Sequence, residues 1–287
     1  MIYEPKKTAV VTGGSKGIGL ATAKMLAEQG YDVYVFARTA PQEEVKGVKF
    51  VKCDMTDLFN FEITVRMWFA EVGRLDLLVN NAGMGISGAA DGTPQDDVNA
   101  ILTLNVLAFE KCCRMMIPYL RYTKGRLINV SSFAALTPIP FQAVYSASKA
   151  FVLNYSKAVA LELKPFGVFV TAVLPGDVKT NFTSSRRKSL ARSDDYGKVL
   201  AKSVEKMEKD EQNGMPPEKV AKEIVKIATM TEYDPPLTKI VGGKYKFFGF
   251  LNKIFPERWS SGIVYNTYCK FKPEKRTKPK RPRGFYR

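Results

Sequence analysis

Hydrophobic positions along the chain fall into two alternating textures. Short runs that are apolar almost throughout, such as Ala9-Val10-Val11, Asp32 to Ala37 and Val48–Cys53, predict strands buried on both faces. Between them lie longer stretches whose apolar residues share one helical face: about Ile18 to Gln29, with Gly30 as the stop, and Phe59–Val72. The alternation continues through a strand at Leu75–Asn80 and a long helical stretch at about Pro94–Tyr122, which Pro118 is placed to break. A strand at Arg126–Ser131, a helix at about Ala143–Pro165 and a strand at Val168–Leu174 follow.

This order predicts an α/β fold, a Rossmann-type doubly wound parallel sheet of about seven strands with helices on both faces. In such sheets the ligand lies beyond the carboxyl ends of the strands. After Leu174 the pattern loosens. Residues 181–215 are polar, with Arg186-Arg187-Lys188 and Asp194-Asp195, and read either as a substrate lid at the ligand end or as a solvated surface helix. Another helix is expected to start near Pro216-Pro217-Glu218. The expected division is one Rossmann-type domain over 1–243, an aromatic and basic extension over 244–271, and a disordered basic tail over 272–287.

Composition narrows the chemistry. With 45% hydrophobic and 25% charged residues in 287, the chain can build a core, which excludes disordered, collagen-like and coiled-coil classes. It has no histidine, which excludes a Ser-His-Asp triad, a Cys-His dyad and the common zinc sites. Proton transfer therefore falls to Tyr, Lys, Asp, Glu, Cys or a cofactor. Cys53, Cys112, Cys113 and Cys269 are too few for a disulfide scaffold and lack CxxC spacing, so they read as reduced thiols of an intracellular protein. The N-terminus runs straight into a strand without a signal-peptide pattern, and no apolar run is long enough to span a membrane. A cytoplasmic location is the expectation.

Glycines carry the first chemical signal. Gly13, Gly17 and Gly19 stand where the first strand turns into the first helix, with Ser15, Lys16 and Ile18 between them. Such a turn lets backbone approach a pyrophosphate, and the helix N-terminus offers unpaired N–H groups to its oxygens. A carboxylate at the end of the second strand would bind a ribose 2′-hydroxyl and select NAD. Here Ala37 is followed by Arg38 instead. Lys16 and Arg38 suit a 2′-phosphate, so NADP (NADPH) is preferred over NAD, although an Arg38 that only stacks on adenine would permit either. Asp54 could accept from an adenine amino group or cap the next helix, as could Thr56 or Asp57.

Tyr145 and Lys149, four apart, share one helical face, and an ammonium beside a phenol favours phenolate. They end an ordered series: Thr12-Gly13-xxx-Gly17-Ile18-Gly19, Asn80-Asn81-Ala82-Gly83, Asn105, Ser132, Tyr145-xxx-Lys149 and Pro175-Gly176-x-Val178-x-Thr180, with Ser132 preceding Tyr145 by 13 residues. The series resembles the short-chain dehydrogenase/reductase family over about residues 7 to 182, and is similar to its hydroxysteroid and retinol branch around Pro140–Lys149. The resemblance implies that Tyr145 is the general acid in ketone reduction and the general base in alcohol oxidation. Ser132 would hold the substrate oxygen. Lys149 would lower the Tyr145 pKa and bind the nicotinamide ribose, and Asn105 would position a relay water. Asn80, Ala82 and Gly83 would line the adenosine side, with Pro175, Gly176, Val178 and Thr180 beside the nicotinamide. No metal is implied. The implied activity is interconversion of a ketone and a secondary alcohol by hydride transfer. The rival reading is a catalytically silent dinucleotide-binding adaptor for membrane or RNA.

The loops Phe133–Phe141 and Met84–Ile86 are apolar and uncharged, which suits a lipophilic, steroid-like substrate, unless they merely pack. The two longest helical stretches are the expected interface of a homodimer. Charge is concentrated at the end: 13 basic and 2 acidic residues in 244–287, against a net of only +5 before it. Phe247, Phe250, Leu251 and Ile254 share a helical face beside Lys246, Lys253 and Arg258. This predicts a peripheral anchor on an anionic membrane surface, each basic residue adding about 1 kcal/mol near the lipid. A helix folded over the pocket mouth or a subunit contact would use the same pattern. Nucleic acid is the weakest candidate, because no known binding fold accompanies the tail.

Overall fold

The computed structural model describes residues 6–189, 196, 198–230 and 235–270. Seven strands form one parallel sheet: β1 (Thr8–Thr12), β2 (Asp32–Ala37), β3 (Val48–Lys52), β4 (Leu77–Asn80), β6 (Arg126–Val130), β7 (Phe169–Pro175) and β9 (Thr238–Val241). Their spatial order is β3-β2-β1-β4-β6-β7-β9, so the direction of winding reverses between β1 and β4. A two-residue pair, β5 (Ile86–Ser87) and β8 (Arg187–Lys188), stands apart from this sheet.

Strand residues alternate between two cores because successive side chains point to opposite faces. Val10, Phe36, Leu78 and Leu127 pack with α2 (Leu58–Val72), α4 (Phe109–Thr123) and α5 (Ala143–Leu163). Ala9, Val11, Val35, Val79 and Ile128 pack on the other side with α1 (Gly17–Glu28) and α8 (Pro217–Ala228). Both faces of the inner strands are covered, which is why β1, β2, β4, β6 and β7 read as largely apolar runs, while β3 and β9 at the edges are partly exposed.

The long central helix departs from expectation. α3 (Gln95–Leu102) passes through a π-helical segment, Thr103–Ala108, into α4, which carries Pro118 inside it. The irregularity therefore lies well before the proline. The polar region 181–215 holds a short helix α6 (Phe182–Ser185), β8, and α7 (Lys198–Gln212). Residues 244–270 form two helices, α9 (Gly243–Ile254) and α10 (Glu257–Tyr268), and the basic tail expected at 272–287 lies outside the described residues. No helix among the described residues is long and apolar enough to cross a membrane.

Candidate active site

A cleft of about 1330 Å³ runs along the carboxyl ends of the strands, larger than an ordinary drug-sized pocket of roughly 300–1,000 Å³. One end is the turn between β1 and α1. Gly13 has φ +65° and lies so close to β4's continuation that a Cβ there would sit 2.9 Å from Ala82 Cα. A Cβ on Gly19 would meet the Gly13 carbonyl at 2.5 Å and the Asn81 amide at 2.6 Å. Gly13, Ser15, Lys16, Gly17 and Ile18 line the cleft, whereas Gly19 lies beneath it and lets α1 pack against the turn. No side chain caps α1 and its first turn holds no acidic residue, so its leading N–H groups suit an anion.

Arg38 stands at the end of β2 on the rim, with no carboxylate at that strand's end. Lys16 departs from the expected pairing with Arg38: its Nζ lies 3.4 Å from Ser185 Oγ, on α6. Asp54 lines the cleft and its Oδ1 accepts from the Thr56 N–H at 2.9 Å, while Asp57 provides the cap of α2. A glycine cradle, an uncapped helix start and a cation where NAD-binding turns would carry a carboxylate form a donor set that fits a dinucleotide with an extra phosphate.

The Asn80-Asn81-Ala82-Gly83 stretch needs one correction. Asn80 does not line the adenosine side; it is buried, and its Nδ2 donates to Asn129 Oδ1 at 3.3 Å and lies 3.1 Å from Cys113 Sγ. Asn81, the next residue, faces the cleft together with Ala82 and Gly83. Its Nδ2 donates to the carbonyls of Thr12 (3.0 Å) and Gly13 (3.2 Å). Thr12 Oγ1 in turn accepts from the N–H groups of Asn81 (3.0 Å) and Ala82 (3.1 Å). Thr12 and Asn81 thus lock the ends of β1 and β4 together, a role not assigned from sequence, although both lie inside the quoted motifs.

At the other end of the cleft, Ser132 follows β6, and Tyr145 and Lys149 project from α5. The Tyr145 and Ser132 hydroxyls are hydrogen-bonded, and Ser132 Oγ also accepts from the Ala134 N–H at 3.1 Å. Lys149 is buried and its Nζ donates to the Val130 carbonyl at 3.1 Å. Burial pulls the Lys149 ammonium down to about 8. It pushes the Tyr145 phenol up to about 12, against a smaller lowering from the Ser132 bond. Desolvation is thus the largest influence on Tyr145 within the chain itself, larger than any single charge nearby.

Asn105 sits in the π segment, fully buried. It bonds both ways to Met84, accepting its N–H and donating to its carbonyl at 2.9 Å each, and donates to Ser148 Oγ at 3.1 Å. A Cβ on Gly83 would lie 3.3 Å from both Asn105 Oδ1 and Lys149 Nζ, so a side chain at this position would crowd both groups. From β7, Pro175, Gly176, Val178 and Thr180 all face the cleft, and Thr180 Cγ2 would be 3.4 Å from a Cβ on Gly17. The glycine turn and the end of β7 thus close on each other across the cleft floor.

The substrate side combines apolar and charged surface. Met84, Phe133, Ile139 and Phe182 line it, the Tyr145 and Phe182 ring centroids lying 5.8 Å apart. The two loops expected to be apolar and uncharged form one side of the pocket, and other parts of its wall bring Asp177, Lys206, Asp210 and Glu211. Glu211 pairs with the buried Arg186 and accepts from Thr183 Oγ1 at 2.6 Å, and Lys206 pairs with Asp210. Helices α9 and α10 supply the roof. Tyr245 bonds Asp177 and lies over Gly176, where any Cβ would overlap its ring, and Asn252 Nδ2 donates to Thr137 Oγ1 at 2.7 Å.

The profile described as short chain dehydrogenase matches residues 7–191. The chain is 38% identical over 236 residues to a 3-ketodihydrosphingosine reductase of Bacteroides thetaiotaomicron, covering 81% of this chain and 87% of that one. It is 34% identical to an NADPH-dependent 1-acyldihydroxyacetone phosphate reductase of Saccharomyces cerevisiae, covering 78% of each. Among solved structures, a short-chain dehydrogenase from Streptomyces avermitilis superposes with a TM-score of 0.76 at 26% identity, covering 92% of this chain and 99% of that one.

Proposed function

Because this chain belongs to the short-chain dehydrogenase/reductase family, and is thereby an NAD(P)-dependent oxidoreductase of keto and hydroxyl groups, we propose that it is an NADPH-dependent reductase of a ketone on a lipophilic substrate. The observation that carries this reading is the meeting of the Tyr145 and Ser132 hydroxyls beside buried Lys149, in one cleft with the glycine turn. Gly13, Ser15, Gly17, Ile18 and α1's first N–H groups would hold the pyrophosphate, Arg38 the 2′-phosphate, and Lys149 with Val178 and Thr180 the nicotinamide half. The dinucleotide, when bound, supplies the hydride.

The chain's own residues handle the oxygen and the proton. Ser132 holds the substrate oxygen and stabilises the charge that grows there. Tyr145 releases its proton to that oxygen. A phenol at about 12 stays protonated at neutral pH, the state reduction requires, and is still far more acidic than the alcohol it helps form. Lys149 offsets the negative charge left on Tyr145. Asn105 acts as a positioning residue, holding Met84 and hence the Gly83 backbone against the cleft.

The two relatives named above suggest 3-ketodihydrosphingosine and 1-acyldihydroxyacetone phosphate as the first substrates to assay. NADPH and NADH oxidation should be followed with both, with a ketosteroid and with a small polar ketone. Preferential turnover of lipophilic ketones with NADPH supports the proposal; turnover of the polar ketone alone refutes it. Tyr145→Phe should lose roughly 10²–10⁴ in kcat with NADPH binding intact. A homodimer through α3–α5 is proposed on the exposed Leu102, Leu107, Phe151 and Leu161.

A further inference from the structure

Helices α9 and α10 have two faces of different character. The inner face roofs the cleft through Tyr245, Phe248, Leu251 and Asn252. The outer face exposes large apolar side chains: Phe247 is 62% exposed, Phe250 59% and Ile254 59%. Between the faces, Phe255, Trp259 and Ile263 both line the cleft and stand exposed, so they form the rim of its mouth. Exposed Lys244, Lys246, Lys253 and Arg258 flank this surface, against one acidic residue, Glu257.

An apolar face this continuous is not ordinary surface. Its charge decides the occupant. A second copy packed on it by a two-fold axis would bring the lysines of one face against those of the other. An anionic lipid surface answers both features, rings entering the interfacial layer and cations meeting headgroups. In sequence, the 17 residues that follow Lys270 carry eight more basic side chains and one acidic one.

We propose that α9 and α10 dock the protein on an anionic bilayer with the mouth of the cleft against the lipid, so that a lipophilic ketone passes from membrane to active site without crossing water. The passage of substrate rests on the reading of the cleft as a reductase of lipophilic ketones; the docking itself does not.

The test uses the full chain and vesicles of phosphatidylcholine with phosphatidylglycerol, against phosphatidylcholine alone. Co-sedimentation should favour the anionic vesicles and weaken as salt rises. The triple substitution Phe247→Ser, Phe250→Ser, Ile254→Ser changes outward side chains that do not line the cleft. It should weaken vesicle binding by roughly tenfold or more. NADPH oxidation with a ketone dissolved in buffer should be unchanged, while the rate with the same type of ketone held in vesicles falls. Absence of vesicle binding by the wild type overturns the proposal. So does undiminished binding by the triple variant, or a variant whose only change is loss of self-association. A protein that binds vesicles but reduces no lipophilic ketone keeps the docking and removes the reductase reading instead.

Discussion

Replacing Lys149 by methionine should make the folded protein more stable while disabling it. Lys149 is 5% exposed, and its ammonium donates to one described acceptor, the Val130 carbonyl. Burial lowers it from 10.5 to about 8. Between those two values the unfolded chain holds a proton that the folded chain has released, so stability rises with pH across that window. Below about 8 the full penalty is present, roughly 3 kcal/mol at 1.36 kcal/mol per pH unit. Methionine fills similar space without the charge. Loss of the bond to Val130 takes back about 1 kcal/mol, leaving a net gain of about 2 kcal/mol at neutral pH. For a protein of this size that corresponds to a rise in Tm of roughly 3–4 °C. Thermal unfolding by circular dichroism, for wild type and Lys149→Met at neutral and at alkaline pH without cofactor, measures it. Every other titrating group is common to both proteins, so the gap between the curves reports Lys149 alone. It should narrow and change sign as pH rises past the ordinary lysine value. A variant that melts below the wild type at neutral pH, or a gap independent of pH, would refute the reasoning.

Arg38→Ala should weaken NADPH binding by about 10–100-fold, the worth of a charge-assisted hydrogen bond, and change NADH binding much less; fluorescence titration of both cofactors checks it. Glu211→Ala would leave Arg186, whose side chain is 1% exposed, without its carboxylate, and should cost about 3–5 kcal/mol in urea unfolding. The same change removes a negative charge that raises Tyr145, so the alkaline limb of kcat/KM in any folded preparation should move to lower pH. Gly13→Ala asks a side chain to adopt φ +65° and to sit 2.9 Å from Ala82 Cα; loss of NADPH binding with the far-ultraviolet spectrum retained is the expected result.

How much was legible follows from what each feature depends on. The strands buried on both faces could be read because their apolar runs answer to burial alone. β9 could not: it is an edge strand of four residues, half-buried, with Lys239 paired to Glu223 across it. The pair β5 and β8 is two residues long and exists only because the chain segments meet. Asn80 was misplaced because adjacent residues at a strand end point to opposite sides, and the sequence does not say which of two asparagines faces the ligand. Of the charges on the substrate wall, Lys206, Asp210 and Glu211 come from α7, which periodicity leaves unplaced, and Asp177 comes from the loop after β7. The pattern at 247–254 fitted a membrane face and a roof equally, and the two helices present apolar surface on both sides.

The π-helical turn at Thr103–Ala108 bears on which histories are open to this chain. A π turn holds one more residue than the α turn it replaces, and that surplus is what aims the Asn105 amide at Met84. Deleting a single residue there would restore regular hydrogen bonding and strengthen the helix locally. It would also rotate everything upstream by about 100° relative to α4, taking Asn105 away from Gly83. Selection for rigidity and selection for turnover pull this stretch in opposite directions. Its length, more than the identity of its side chains, is what descent under function has to preserve.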